Sequence, residues 1–223
     1  FPYRIFPSEF APERTFRDEE YPRVQINGAE IIEGLQHINV YLNTVGDYQF
    51  GGYEYILNNT VANPKMDDAI GLENMEKFGY TIIQPPLEAL NIVYPQNGVA
   101  KEEILESDDI NKELLIGKSG LNSIMTYSTT TNPPSRFNFQ YRPWVTEQYG
   151  RIFSPEKLED YSAKIKNIGD IIMQSTGIVL IYSQYIDGGL VPLALALEEL
   201  GFIRHDKKSL FSTPVSYTHL TLP

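Results

Sequence analysis

Hydrophobic positions follow their most regular pattern in the last third of the chain. Apolar residues recur with mostly helical spacing over 163–173, and a second apolar helical face runs from Leu190 to Leu200. Between them, Ile178-Val-Leu-Ile-Tyr182 is a continuous β-branched and aliphatic run, typical of a strand buried on both faces. A further strand is expected to begin at Phe202-Ile203. This order of helix, strand, helix and strand predicts an α/β fold with a doubly wound parallel sheet.

Local start and stop signals give the bounds of these two helices. Ser154-Pro155-Glu156 combines a capping serine, a proline at the first helical position and an acidic residue near the positive helix end. The first helix is expected to continue to Ser175, where Gly177 breaks it. The second helix tolerates Pro192 in its first turn and is expected to stop at Gly201.

The first two thirds of the chain carry weaker signals. Four prolines within residues 1–23 exclude a long helix there. The Gly-Gly pair inside the aromatic run 48–57 predicts a hairpin, and the spacing over 67–78 predicts a short helix. The apolar run within 85–95 is bounded by prolines and predicts a packed segment, whereas the Thr-, Asn- and Pro-rich run 128–135 predicts a surface loop.

One internal segment is strongly acidic. Residues 101–113 contain six acidic and two basic side chains, so their net charge is −4. Such a run usually forms a solvated helical face or a mobile insertion. The functional alternative is an acidic docking surface.

Composition and charge narrow the classes of function. The chain has no cysteine, which excludes disulfides, thiolate zinc sites and a cysteine nucleophile. The histidines His37 and His205 are isolated, so we predict no metal site and no catalytic triad. The longest apolar run, 177–182, is far shorter than the roughly 20 residues that cross a bilayer. The net charge of −11 argues against a diffuse basic footprint, so any contact with nucleic acid must be local.

The loop after the predicted buried strand is the first candidate binding site. Ligands of open parallel sheets bind beyond the carboxyl ends of strands, where loops lead into helix N-termini. The loop offers a hydroxyl, an amide, an aromatic face and two glycines, and a phosphate is the expected ligand. Its candidate residues are Ser183, Gln184, Tyr185, Gly188 and Gly189. The alternative is that the glycines serve the turn alone.

A second candidate interleaves basic and aromatic residues in the way that single-strand binders do. Its members are Tyr141, Arg142, Trp144, Tyr149 and Arg151. The alternative is that these side chains pack in a core.

Several motifs in the last third resemble a known family. Ser162-Ala-Lys164, the following helix and Gly177-Ile-Val-Leu-Ile-Tyr-Ser-Gln-Tyr185 resemble the opening of the second RecA-like domain of superfamily 2 helicases. The run from Tyr182 to Gly201 resembles more narrowly the helicases of giant, nucleocytoplasmic large DNA viruses, which are relatives of poxvirus transcription helicases. The resemblance implies a partial RecA-like doubly wound parallel sheet of the P-loop NTPase type, preceded by a mixed α+β insertion.

The resemblance also implies a division of the chain, which we expect to be an internal fragment of a longer protein. Residues 1–84 would be the end of a first lobe or insertion, 85–153 an inter-lobe insertion, and 154–214 the first part of the second motor domain. Residues 215–223 resemble a translated sequencing adapter and are set apart from the natural sequence. A natural short tail is the alternative.

An ATP-driven motor that grips DNA or RNA is the function that the resemblance implies. By position, Ser183, Gln184, Tyr185 and the Gly188-Gly189 turn would face the phosphate backbone, a contact that does not read bases. Lys164 would contact a phosphate or another domain, or is simply a solvated helical lysine.

The sequence contains none of the helicase motifs that hold ATP. The Gly-x-x-x-x-Gly-Lys-Ser/Thr loop, the Asp-Glu-x-His/Asp motif and the Gln-x-x-Gly-Arg-x-x-Arg finger are all missing. We therefore expect no catalytic residue in this chain, and expect ATP and Mg²⁺ to be bound by the parent protein and not by this part alone.

The resemblance implies partners and a location as well. The partners would be a nucleic-acid backbone, a first RecA-like lobe and the transcription machinery, with no membrane contact. The location would be the virion or the cytoplasmic viral factory of an infected host, not the secreted space. A non-catalytic interaction module, such as a transcription-factor subunit built on a motor lobe, is the first alternative. An unrelated α/β nucleotide-binding enzyme is the second.

Overall fold

The computed structural model describes residues 43–61, 84–99, 110–131, 134–205 and 208–213. The chain divides into two units, Phe1–Asn43 and Thr44–Pro223, and the described residues after Asn43 all belong to the second. The predictions for 1–23, 67–78 and 215–223, and for most of 101–113, lie outside the described residues.

The second unit mixes helix and strand. Its helices are α1 (Asp47–Val61), α2 (residues 84–89), α3 (Gly117–Ile124), α4 (Pro143–Gln148), α5 (Leu158–Tyr161), α6 (Ala163–Gln174) and α7 (Val191–Glu199). A 3-10 turn at Lys112–Leu114 precedes α3, and a π-helical turn at Ile186–Leu190 leads into α7. The strands are β1 (Met125–Thr131) and β2 (Pro134–Tyr141). Within the described residues, no helix is both long and apolar enough to span a membrane.

The described sheet is an antiparallel hairpin, which corrects two predictions. β1 pairs with β2 from Met125 opposite Tyr141 to Thr131 opposite Pro134, with an irregularity between Thr126 and Ser128. Much of the predicted loop 128–135 is therefore strand, because threonine favours the pleated conformation more than its neighbours favour a turn. The parallel sheet expected around residues 178–182 is not seen in the described part of the chain.

The predicted buried strand has no regular secondary structure and pairs with no strand among the described residues. Ile178, Leu180 and Tyr182 are 103%, 94% and 89% exposed, whereas Ile181 packs against the core. A strand becomes buried on both faces only when elements cover both of them, and this segment has one covered side. The prediction of burial is wrong in this structure, and residues 202–203 likewise do not form a strand.

The predicted hairpin over residues 48–57 is wrong, because this region belongs to the helix α1. Gly52 allows close packing instead of a turn, because a Cβ there would lie 2.5 Å from Val93 Cγ1. Tyr48 and Ile56 of the same helix are fully buried in the core.

The two helices of the last third are confirmed, with a correction at the first start. Ser162 and not Ser154 caps α6, since its hydroxyl accepts the Ile165 N–H at 3.1 Å. The helix ends at Gln174, close to the predicted stop, and Gly177 has a φ of +90°. Pro192 lies in the first turn of α7, and Gly201 follows the helix with a φ of +96°.

One hydrophobic core holds the described elements together. The predicted packed segment is confirmed, because Ile92, Val93 and Tyr94 are fully buried. Tyrosine rings of α1 and α5 meet edge to face, with the Tyr48 and Tyr161 centroids 5.1 Å apart. The core includes residues on both sides of the domain boundary that the sequence places after residue 153.

A buried glutamine links three parts of this core. Gln49 is fully buried on α1, and its Nε2 donates to the Ala89 carbonyl at 2.9 Å. Its Oε1 accepts the Ala163 N–H at 3.0 Å, at the start of α6. One side chain therefore satisfies a carbonyl and an amide that are both buried.

Replacement of this glutamine by a side chain of similar size tests its role. In Gln49→Met, the Ala89 carbonyl and the Ala163 amide lose their partner, and a buried orphan group costs about 1–3 kcal/mol. We expect the free energy of unfolding in urea to fall by roughly 2 kcal/mol or more. The matched control Gln148→Met changes an exposed glutamine of α4 and should stay within about 0.5 kcal/mol of the unchanged chain. Equal effects of both variants would contradict the assignment.

Candidate functional site

A pocket of about 290 Å³ lies between α6 and the segment that leads to α7. Five of the six predicted binding residues line it: Lys164, Ser183, Gln184, Tyr185 and Gly189. The rest of the lining consists of Asn91, Ile165, Ile168, Ile181, Tyr182 and Leu193. The pocket therefore has an apolar wall from the helices and a polar rim from the loop.

The cationic group of the pocket is held by a short chain of hydrogen bonds. Lys164 Nζ donates to Asn91 Oδ1 at 2.7 Å. The Asn91 carbonyl in turn accepts the Ser162 hydroxyl, and Ser162 is the cap of α6. Neighbouring protein atoms displace part of the water around the ammonium, which lowers the pKa of Lys164. The cap thus places Lys164 in the first turn of α6, at the pocket.

Ser183 and Gly189 shape the turn that forms the rim. The Ser183 hydroxyl accepts the Tyr185 N–H at 3.1 Å and donates to the Tyr185 carbonyl at 3.2 Å. A Cβ on Gly189 would lie 2.5 Å from Ser183 Oγ, so the close approach requires glycine. The Gln184 side chain stays exposed at the rim. Ser183 therefore serves the turn, whereas Gln184 can face a ligand.

The sixth predicted residue, Gly188, faces a different environment. It is buried, and a Cβ there would lie 2.4 Å from Glu88 Oε1 of α2. The Glu88 carboxyl also approaches Gly117, where a Cβ would lie 3.2 Å from Oε1. Burial raises the pKa of Glu88 above its ordinary value of 4.5. A carboxyl in this position disfavours a phosphate at Gly188.

Asp187 fixes the π-helical turn to the rest of the unit. Its carboxylate forms an ion pair with Arg136 of β2, with Arg136 Nη2 and Asp187 Oδ2 at 3.3 Å. Its carbonyl accepts the hydroxyl of the fully buried Tyr94. The Arg136 guanidinium also lies over the Tyr127 ring, 5.5 Å from its centroid. Nothing in the sequence pattern pairs positions 136 and 187.

The second predicted cluster is engaged in packing. Tyr141 and Tyr149 are buried, and the Trp144 ring meets that of Tyr149 edge to face. Arg142 Nε and Nη2 donate to the Asn122 carbonyl at 3.1 and 3.0 Å, and Arg151 Nε donates to Glu199 Oε1 at 3.0 Å. These contacts support the packing alternative over a single-strand interface.

The described residues contain no group of three or more His, Cys, Asp or Glu side chains that could hold a metal ion. The sequence also lacks the phosphate-binding loop that such a site needs.

The electrostatic state of Glu88 gives a test of the site's geometry. Because folding raises the pKa of Glu88, its ionised form destabilises the folded chain at neutral pH. This penalty disappears as the pH falls through the raised pKa and then below the ordinary one. At pH 7 we expect Glu88→Gln to have a higher urea midpoint than the unchanged chain. The two midpoints should become equal at about pH 4.

An exposed carboxylate provides the matched control for this experiment. Glu147 lies exposed on α4, so Glu147→Gln should leave the urea midpoint almost unchanged at both pH values. A Glu88→Gln midpoint below that of the unchanged chain at pH 7 would contradict the expected penalty.

Comparisons with known proteins do not assign the pocket to a family. No protein-family model, no curated protein and no solved structure matches the chain. A function for the pocket therefore depends on its own residues and their geometry.

Proposed function

We propose that the chain is part of an ATP-dependent nucleic-acid helicase or translocase of superfamily 2, acting in viral transcription or replication. In this proposal the pocket between α6 and residues 183–189 holds the phosphate backbone of one strand. The observation that supports it best is the gathering of five predicted contact residues around one pocket. The resemblance to superfamily 2 helicases indicates the same residues as contacts with the strand.

The chemistry of the pocket fits a phosphodiester backbone. The Lys164 ammonium supplies a positive charge at the pocket, and the exposed Gln184 amide supplies uncharged donors. Tyr182 and Tyr185 add aromatic faces on which a base can stack. Contacts of this kind fix the strand without reading its sequence.

The order of the elements around the pocket also supports the proposal. A doubly wound lobe needs a helix, an apolar strand, a ligand-binding turn and a second helix in succession. α6, residues 178–182, the π-helical turn and α7 follow in this order. The exposed side chains of Ile178, Leu180 and Tyr182 are the ones that neighbouring strands and a second helical layer would cover.

The nucleotide would be bound elsewhere in such a motor. The sequence lacks the loop that holds ATP phosphates in such motors, so no step of hydrolysis is assigned to these residues. Their part is to hold the strand, while a first RecA-like lobe would supply the nucleotide site.

Removal of the pocket's charge tests the proposal on the chain as it stands. Binding of a fluorescein-labelled oligothymidylate of roughly 16 nucleotides is followed by anisotropy across a salt series. Each phosphate contact contributes about 0.7 to the slope of log affinity against log salt for a single strand. We expect Lys164→Ala to weaken binding several-fold and to reduce this slope by about 0.7.

A neighbouring lysine provides the control that distinguishes a contact in the pocket from a general loss of positive charge. Lys166 lies two residues further along α6, and its Nζ pairs with Asp170 Oδ1 at 2.7 Å, outside the pocket lining. Lys166→Ala removes the same charge and should leave the slope unchanged. Equal loss in the two variants, or no measurable binding by the unchanged chain at low salt, would refute the proposal. Repeating the series with oligouridylate shows whether DNA or RNA binds better.

A further inference from the structure

A short segment near the end of the described chain pairs with the hairpin. We call residues 208–213 the strap. The Phe139 N–H of β2 donates to the Leu210 carbonyl at 2.8 Å, and the Ser212 N–H donates to the Phe139 carbonyl at 2.9 Å. The strap thus forms a parallel bridge between Phe211 and Phe139. Both main-chain groups of Phe139 are used by the strap.

An irregularity in β2 makes these groups accessible. The register between the strands shifts between Thr126 and Ser128, and Asn138 has a φ of +56°. Asparagine tolerates this left-handed conformation better than most residues. An extra residue of this kind turns a strand locally and re-aims the groups beside it. Here Phe139 is directed to the strap.

A buried carboxylate of α7 binds the main chain of the strap. Glu198 is only 7% exposed, and its Oε2 accepts the Leu210 N–H at 2.6 Å. Its Oε1 accepts the Phe211 N–H at 3.1 Å and the Ser209 hydroxyl. Main-chain donors are present in every residue except proline, so the two amide contacts do not depend on the strap's sequence, whereas the hydroxyl contact requires Ser209.

One aromatic side chain of the strap fills a defined slot. Phe211 is 4% exposed, and its ring stacks on that of Tyr141 with the centroids 5.8 Å apart. The Arg151 guanidinium covers Phe211 at 5.1 Å and is fixed by Glu199, with Nη2 and Oε1 at 2.8 Å. The slot therefore selects one aromatic residue.

The strap does not fill the groove completely. A cavity of about 320 Å³ lies beside Phe211, Ser212 and Thr213, and α4 and Arg151 form its opposite wall.

We propose that this groove is a docking site for an extended peptide of a protein partner and that the strap is its competing ligand within the chain. The groove fits an aliphatic residue followed by an aromatic one, with a main-chain N–H at both positions. A nucleic acid does not fit, because it lacks these donors and because Glu198 and Glu199 repel phosphate. The strap shows which peptide chemistry the groove binds. Because the Glu198 carboxylate is buried, it needs hydrogen-bond donors either from the strap or from the partner peptide.

The inference does not depend on the nucleic-acid pocket, which involves none of the strap's residues. Main-chain pairing to a strand edge together with one side-chain slot is a recurrent mode of peptide recognition. A tethered strap has an effective concentration in the millimolar range, so a free peptide competes poorly until the strap is weakened.

A labelled peptide with the sequence of residues 208–213 tests the docking site. Its binding by anisotropy is compared between the unchanged chain and Phe211→Ala, in which the chain's own strap loses its slot contact. We expect at least about tenfold tighter binding to Phe211→Ala, since the competitor is weakened. A peptide with alanine in place of its phenylalanine should lose the binding. Ser212→Ala, which changes an exposed hydroxyl beside the slot, should behave like the unchanged chain.

Equal peptide affinity for both chains, or none for either, would overturn the proposal if Phe211→Ala keeps its circular dichroism. A dimer that forms by exchange of straps and ignores the peptide would also overturn it.

A second measurement needs no variant. In the unchanged chain, millimolar peptide should speed hydrogen exchange of the chain's own Leu210, Phe211 and Ser212 amides, while α6 is unaffected. Strap amides that exchange as slowly with the peptide as without it would refute displacement, even if Phe211→Ala fails to fold.

Discussion

The pairing of buried polar groups across distant parts of the sequence is the constraint on which this unit depends. Glu198 and Glu199 are adjacent on α7, yet each carboxylate serves a different neighbour: the strap and Arg151, respectively. Burial raises the pKa of Glu199 in spite of Arg151, so the pair is held in a poorly hydrated place. Gln49 likewise joins α1, α2 and α6, with an uncharged side chain. Loss of one partner leaves the other polar group buried without a hydrogen bond, which lowers the free energy of unfolding.

The candidate pocket depends on two such ties. The Ser162–Asn91–Lys164 chain sets one side, and the Asp187–Arg136 pair sets the turn on the other. The pocket's polar rim is therefore anchored to the core, and the Gln184 side chain is exposed. In the proposed function, the ammonium held by Asn91 would contact a phosphate, and the exposed amide would adapt to the strand.

Sequence reasoning succeeded where structure is local and failed where it is set by distant contacts. The end of α6 and both ends of α7 follow from glycines and from helical spacing, and five pocket residues come together because one turn and one helix carry them. Gly188 departs from the prediction because Glu88, 100 positions away, occupies its open side. The glycine pair of α1 predicts a turn because the contact of Gly52 with Val93 cannot be seen in the local pattern. Likewise, the threonines of β1 predict a loop when taken alone, and their strand conformation depends on pairing with β2.

The exposed run at residues 178–182 has a consequence for the chain in solution. No charged side chain lies between Asp170 and Asp187, so this apolar strip carries none of the charges that usually keep strand edges apart. The net charge of −11 supplies the repulsion from a distance instead. Colloidal stability therefore depends on ionic strength. Salt shortens the range of the repulsion, so the exposed apolar segments of two molecules can come into contact.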